Sequence, residues 1–162
     1  MKKYQTAILM VLVIVSCFVL DIVTKTIANS SLIEYERNEI IDGFFYFTLC
    51  YNTGGAWSIL SGNVIVLIII SIIALAAVIY TAIKSTTKFY KYSSAIFIGG
   101  LIGNLYDRIV YGKVIDFLDF IIFGYDFPVF NVADCFICVG VVLILIAVIR
   151  EEKKDGKQVV NN

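Results

Sequence analysis

The chain has 162 residues, of which 60% are hydrophobic and 16% charged, with thirteen basic and thirteen acidic side chains and no histidine. Soluble domains carry about a quarter charged residues and less apolar material, so an ordinary soluble domain is excluded. The balanced charge offers no basic patch for a nucleic acid. Without histidine, Ser-His-Asp and Cys-His catalysis are excluded and the usual zinc sites are disfavoured.

Charge is absent from residues 4–20, 43–83, 92–106 and 135–149. A hydrocarbon core of about 30 Å needs roughly 20 helical residues. We therefore expect four transmembrane helices, at about 6–24, 62–83, 92–110 and 133–150. The third and fourth are short unless their polar ends enter the membrane boundary. The fold expected is a mainly α membrane protein forming one domain over residues 1–150.

The first span follows a basic start, as in a secretory signal, and Ile14-Val15-Ser16-Cys17 is a loose lipobox. Hydrophobicity continues past Cys17 through Phe18, Val19 and Leu20, which favours an uncleaved span. Between the first two spans, Phe44 to Tyr51 has strand character. Asp42-Gly43 and Gly54-Gly55 are turn signals. A small β-sheet, or cradle, is expected over about 35–60 on the outer face. Tyr46, Phe47, Tyr51 and Trp57 suit a membrane interface. A short Lys/Ser/Thr loop joins the second and third spans. After the third, "DFLDFIIFGYDF" reads as a short amphipathic helix over about 117–126, lying flat on the outer face. Residues 151–162 read as a disordered cytoplasmic tail.

With four spans, both termini share a side. That side holds Lys2, Lys3, Lys84, Lys88, Lys91, Arg150, Lys153, Lys154 and Lys157, and the positive-inside bias makes it cytoplasmic. Ten of the thirteen acids fall on the other side. Cys17, Cys135 and Cys138 lie within spans, and Cys50 lies on the outer segment. Cys135-x-x-Cys138 has metal or redox spacing but supplies only two ligands. Neither a disulfide framework nor a metal or other cofactor is expected.

The acids carry the functional signal. Asp21 and Lys25 stand four apart at the outer end of the first span. Asn104, Asp107 and Arg108 share a face at the outer end of the third, and Asp116 follows in the next turn or strand. Asn131 and Asp134 open the fourth span. Ionisable groups at such a boundary cost roughly 3 kcal/mol if unpaired, and so mark function. Lys25 and Arg108 can neutralise Asp21 and Asp107 as a structural cap. Only Lys113 is then near in sequence to neutralise Asp116 or Asp134. Two such acids brought together share a proton, as an aspartic dyad does, and can activate water against an amide. Asn104 and Asn131 could orient the dyad or hold substrate backbone. A Ser58–Lys25 dyad is a formal alternative.

Asp21-x-x-x-Lys25, "YNTGGAWS" (51–58), "GNLYDRIVYGKVIDF" (103–117) and "FNVAD" (130–134), in this order over nearly the whole chain, closely resemble lipoprotein signal peptidase, the bacterial type II signal peptidase family. The resemblance implies an aspartic endopeptidase of the bacterial cytoplasmic membrane. It would cut prolipoproteins just before a diacylglyceryl-modified cysteine. It implies Asp116 and Asp134 as the catalytic pair. Asp21, Lys25, Asn52, Gly54, Asn104, Asp107, Arg108 and Asn131 fall at supporting or substrate-binding positions. It implies lipid-modified prolipoproteins and membrane lipid as partners, no nucleic acid, and function as a monomer. The second motif departs from the family's Asn-x-Gly-Ala-Ala-Phe, reading Asn52-Thr53-Gly54-Gly55-Ala56-Trp57. Two other classes compete: a small proton-coupled transporter or channel subunit using the same carboxylates, and a non-catalytic membrane scaffold.

Overall fold

The computed structural model describes residues 3–160; Met1, Lys2, Asn161 and Asn162 lie outside the described residues. Four α-helices form among the described residues: α1 (Lys3–Ser31), α2 (Val64–Lys84), α3 (Lys88–Tyr111) and α4 (Val132–Val160). One antiparallel sheet lies at the end of the helices where α1 and α3 finish and α2 and α4 begin. Its strands are β1 (Arg37–Ile41), β2 (Phe45–Asn52), β3 (Val114–Ile122) and β4 (Tyr125–Asp126), in the order β1-β2-β3-β4.

Among the described residues, three helical stretches are long and apolar enough to cross a membrane: Tyr4–Ser31, Val64–Lys84 and Val132–Glu151. They turn large aliphatic side chains outward, such as Ile8, Ile65, Ile73 and Leu145. That exposure is tolerable only against lipid or another apolar surface. The expected span at 92–110 forms α3, but α3 does not reach the apolarity of the other three. It carries Lys88, Lys91, Asp107 and Arg108 near its ends, and Ser93, Ser94, Gly99, Gly100 and Gly103 interrupt its apolar run. It packs against all three other helices, and Ser93, Ser94, Ala95, Ile98, Gly99 and Gly100 are buried. A Cβ on Gly100 would meet the Ala133 carbonyl oxygen at 2.5 Å, so glycine here sets how closely α3 and α4 approach. At the end opposite the sheet, Tyr90, Ala82 and Ala147 form a small buried cluster with Met10 and Ile144 against it. The Tyr90 hydroxyl donates to Thr81 Oγ1 at 2.8 Å.

The lipobox reading meets a continuous helix. Cys17 is buried inside α1, where a Cβ on Gly99 of α3 would lie 2.6 Å from its own Cβ.

The sheet corrects one expectation. Residues 117–126, read as an amphipathic helix, are strand β3, a two-residue turn and strand β4. Asp116 and Asp119 have helical spacing, but the Val, Ile and Phe between and around them have strand preference. The inner edge of β2 needs a partner for its backbone groups, and β3 supplies it, pairing Phe45 with Phe120 and Asn52 with Val114. Phe123 and Gly124, at φ 51° and 78°, make the tight reversal that a two-residue hairpin loop requires. The expected cradle at about 35–60 is therefore only half of the sheet. At the chain's end, the backbone of α4 carries on as helix to Val160, through residues read as a disordered tail. Extending an existing helix through Glu and Lys is cheap compared with nucleating one.

Candidate active site

Asp134 sits in the first turn of α4, and Asn131 caps that turn. The Asn131 side-chain oxygen accepts the Asp134 N–H at 2.9 Å, and Asp134 Oδ2 accepts the Asn131 N–H at 3.2 Å. This reciprocal pair is a capping box. It holds a carboxylate at the positive end of a helix, where an anion is favoured.

Asp116 arrives from β3 and is 2% exposed. The same strand grips the segment before α4: Phe117 and Leu118 N–H both donate to the Phe130 carbonyl, at 2.9 and 2.8 Å, and Phe130 N–H returns to the Leu118 carbonyl at 3.0 Å. That clamp brings Asn131 beside Asp116, and Asn131 Nδ2 donates to Asp116 Oδ1 at 2.6 Å. Asn131 Nδ2 also lies 3.1 Å from Asn104 Oδ1, and Asn104 Nδ2 donates to Asp134 Oδ1 at 2.7 Å. The two carboxylates are thus joined through two amides.

Each amide has its orientation set by a group that can only donate. The Asn131 oxygen receives a backbone N–H. The Asn104 oxygen receives the Lys25 ammonium at 2.9 Å. Asn52 Oδ1 receives the Gly54 N–H at 2.8 Å, which turns Asn52 Nδ2 onto Asp116 Oδ2 at 3.1 Å. All three NH₂ groups are left pointing at acceptors.

Behind this layer lies a buried ionic cluster. Lys25 Nζ contacts Asp21 Oδ2 at 2.7 Å and Asp107 Oδ2 at 2.9 Å, and all three side chains are at most 2% exposed. Two carboxylates and Asn104 Oδ1 surround the ammonium, and Ser58 is not among its contacts. Asp107 also accepts the Ile115 N–H at 3.2 Å and Asp21 accepts the Ala133 N–H at 2.9 Å. The cluster therefore ties α1 to β3 and to the head of α4. The expected Asp107–Arg108 pairing is not what forms. Neighbours on a helix point about 100° apart; Asp107 turns to Lys25, and Arg108 turns the other way. Arg108 donates to the Gly54 carbonyl at 2.9 Å and to the Asn104 carbonyl at 3.4 Å, which anchors the Gly54 loop over the site. A Cβ on Gly54 would meet Ser58 backbone atoms at 2.8–2.9 Å. Lys113 goes to neither Asp116 nor Asp134. Its Nζ lies over the Tyr51 ring, 3.2 Å from the centroid.

Asp116 and Asp134 both line one cavity of about 850 Å³. Asn52, Asn104 and Arg108 supply its polar wall; Trp57, Phe127, Phe130, Ile137 and Val139 supply the apolar one. Trp57 packs edge-on against Phe127, with ring centroids 5.5 Å apart. Cys50, Cys135 and Cys138 are free thiols on the same wall. Burial, followed by the negative charge of Asp134, pushes the Asp116 carboxyl up to about 7; the amides of Asn52 and Asn131 partly offset this. The site can therefore hold one proton near neutral pH on a strand carboxyl, facing a second carboxyl at a helix N-terminus.

A family model described as signal peptidase (SPase) II matches residues 13–150. A lipoprotein signal peptidase of Staphylococcus aureus is 41% identical over 160 residues, covering 95% of this chain and 96% of that one. The chain belongs to the signal peptidase II family. A lipoprotein signal peptidase of Staphylococcus aureus strain JH9 is 40% identical over 163 residues, covering 98% of each chain. Of solved structures, a bacterial membrane enzyme determined by the in meso method at 2.3 Å resolution superimposes with a TM-score of 0.82 at 38% identity, over 90% of both chains. Another, at 1.9 Å resolution, gives 0.77 at 40% identity, over 86% of this chain and 91% of that one. This chain is accordingly a membrane peptidase of that family.

Within this signal peptidase II chain, the ten residues expected at catalytic or supporting positions lie in one connected network: Asp21, Lys25, Asn52, Gly54, Asn104, Asp107, Arg108, Asp116, Asn131 and Asp134. One buried acid escaped that reading. Asp119 is 0% exposed and bonds Arg37 and Thr48 on the far face of the sheet. Its only signal in sequence is its place three residues after Asp116, which a helical reading of 117–126 made unremarkable.

Proposed function

We propose that this chain is an aspartic endopeptidase that removes signal peptides from diacylglyceryl-modified prolipoproteins, cleaving just before the lipidated cysteine. The observation that carries this is the linkage of Asp116 to Asp134 through Asn131 and Asn104, with both carboxyls opening onto one mainly apolar cavity. Asp116 holds the shared proton, because it is the more buried strand carboxyl and lies away from any helix terminus. Asp134 is the ionised partner. It takes a proton from a water molecule while the water oxygen attacks the scissile carbonyl carbon. Asp116 gives its proton to the carbonyl oxygen. When the tetrahedral species collapses, the proton on Asp134 passes to the leaving amine, the C–N bond breaks, and Asp116 regains its proton. Asn52, Asn104 and Asn131 aim the carboxyls; Lys25 holds the Asn104 amide, and backbone N–H groups hold the other two. Arg108 and Gly54 shape the loop that faces the substrate backbone. The apolar wall accepts the lipid and the signal helix from the membrane.

In this reading α3 crosses as the fourth span. Its 24 residues extend about 36 Å, and its polar residues are shielded by the other helices. Both termini lie in the cytoplasm of a bacterial cell, the sheet lies at the outer face, residues 151–162 are a cytoplasmic tail, and the monomer is active.

The test uses purified protein in detergent with a diacylglyceryl-modified prolipoprotein and its unmodified form. Cleavage of the lipidated form alone, lost in Asp116→Asn and Asp134→Asn by about 10²–10⁴-fold, is the expected result. Turnover in either folded variant overturns the dyad.

A further inference from the structure

The face of the sheet turned away from the cavity carries a polar cluster that touches all four strands. Arg37 of β1 donates to Asp119 of β3, Nε to Oδ2 at 2.8 Å and Nη2 to Oδ1 at 3.3 Å. Thr48 of β2 donates its hydroxyl to Asp119 Oδ2 at 2.7 Å. Arg37 also reaches Asp126 of β4 and lies over the Tyr46 ring of β2. Asp119 is fully buried, while Arg37 is 40% exposed. None of these side chains lines the cavity.

The cluster sits on an irregularity that decides the site. Across β2 and β3, Phe47 pairs with Leu118 and Cys50 pairs with Asp116. Thr48 and Leu49 together therefore oppose Phe117 alone, which is a β-bulge. Cross-strand partners share a face, and residues two apart on a strand share a face. With the bulge, Cys50, Asn52, Val114 and Asp116 all project to the same side, and Asn52 reaches Asp116 diagonally. Without it, the pairing beyond Phe47 would set Leu49 opposite Asp116. Asn52 would then project from the opposite face, because a one-residue slip inverts every side chain beyond it.

We propose that Arg37, Thr48 and Asp119 are positioning residues for the peptidase reaction, a clasp that holds the β2 bulge and so the register that sets Asn52 against Asp116. This rests on the dyad reading above. Thr48 is itself a bulge residue, and its hydroxyl is pinned to the strand that carries Asp116. The charge-assisted fork from Arg37 fixes the carboxylate to which Thr48 is pinned.

The experiment measures kcat, KM and the pH–rate profile of full-length Thr48→Val, Asp119→Asn and wild type on the lipidated prolipoprotein in detergent. Thr48→Val keeps the size of the side chain and removes only the hydroxyl, so it reads the clasp even where Asp119→Asn yields little folded protein. The expected result is a fall in kcat of about tenfold to a hundredfold with KM within about threefold. The high-pH limb moves upward as well, because a carboxylate that loses a donor is harder to ionise. The other charged and titratable groups about Asp116 are Asp134 on α4, Arg108 on α3, Lys25 on α1 and Cys50 on β2. None of them is itself substituted; Asp119 also acts on Cys50, so Thr48→Val, which changes no charge, gives the reading of the limb. A folded Thr48→Val with wild-type kcat and an unmoved profile overturns the clasp. Asp116→Asn, run alongside, separates the two claims: turnover retained there removes the dyad, whereas turnover lost there with wild-type behaviour in Thr48→Val removes only the clasp.

Discussion

Asn131 and Asp134 bond each other twice, side chain to backbone in both directions, at 2.9 and 3.2 Å. One pair thus starts a helix and presents a carboxylate. Asn131 has a further duty, because its NH₂ reaches Asp116 and Asn104. The two duties can be separated by substitution.

Asn131→Ser keeps a residue that caps well but removes the NH₂. Its melting temperature in detergent should stay near wild type while turnover drops about tenfold to a hundredfold. Asn131→Ala should lose the same turnover and also about 1 kcal/mol of stability. A serine variant with full turnover would show that the amide bridge is idle.

Asp116 gives the clearest pH signature. Its carboxyl is pushed up to about 7 by burial and by Asp134, against about 4 in the unfolded chain. Turnover should decline as pH rises through about 7, when the proton that Asp116 must donate is lost. Stability follows the same sign. The folded chain binds this proton more tightly, so the Asp116 contribution is greatest below about pH 4 and is lost between about 4 and 7. Asp116→Asn should flatten that part of the stability curve, measured by thermal unfolding across pH.

Among the described residues, Lys25 is the one cation in contact with both Asp21 and Asp107. Removing it in Lys25→Met leaves Asp21 and Asp107 buried without a cation, which should cost about 3–5 kcal/mol. Asp21→Asn leaves a balanced Lys25–Asp107 pair, and its amide oxygen can still accept the Ala133 N–H. It should cost far less. Comparing the thermal stability of the two variants checks the ordering, and equal losses would contradict the charge count.

The two loop glycines should behave differently. A Cβ on Gly54 meets Ser58 backbone atoms at 2.8–2.9 Å, which cannot move as a side-chain tip would. On Gly55 it meets Leu67 Cδ2 at 3.4 Å, ordinary contact with a side chain that can shift. Gly54→Ala should therefore lower turnover strongly by displacing the loop held by Arg108. Gly55→Ala should leave kcat within about twofold of wild type. Steady-state kinetics on the lipidated substrate decides.

Much of this protein was legible in its residues alone. The long charge-free runs specify helices that suit lipid, because burying uncompensated charge in hydrocarbon is costly. The acids and asparagines at the boundary marked the candidate site, because such groups persist there only with partners or a task. Asp21 and Lys25 could be paired from their spacing, since a helix puts residues four apart on one face. Tertiary structure decided the rest. Whether 117–126 became helix or strand depended on the free edge of β2, which local spacing does not reveal. Arg108 and Asp107 looked like partners until the helix turned them apart and a lysine from α1 took Asp107. The face on which Asn52 meets Asp116 rests on a one-residue bulge, and the Thr48–Asp119 bond across it joins residues 71 apart in the chain. Periodicity reports which face a residue takes only while the strand stays regular; the register that overrides it is set by partners distant in sequence.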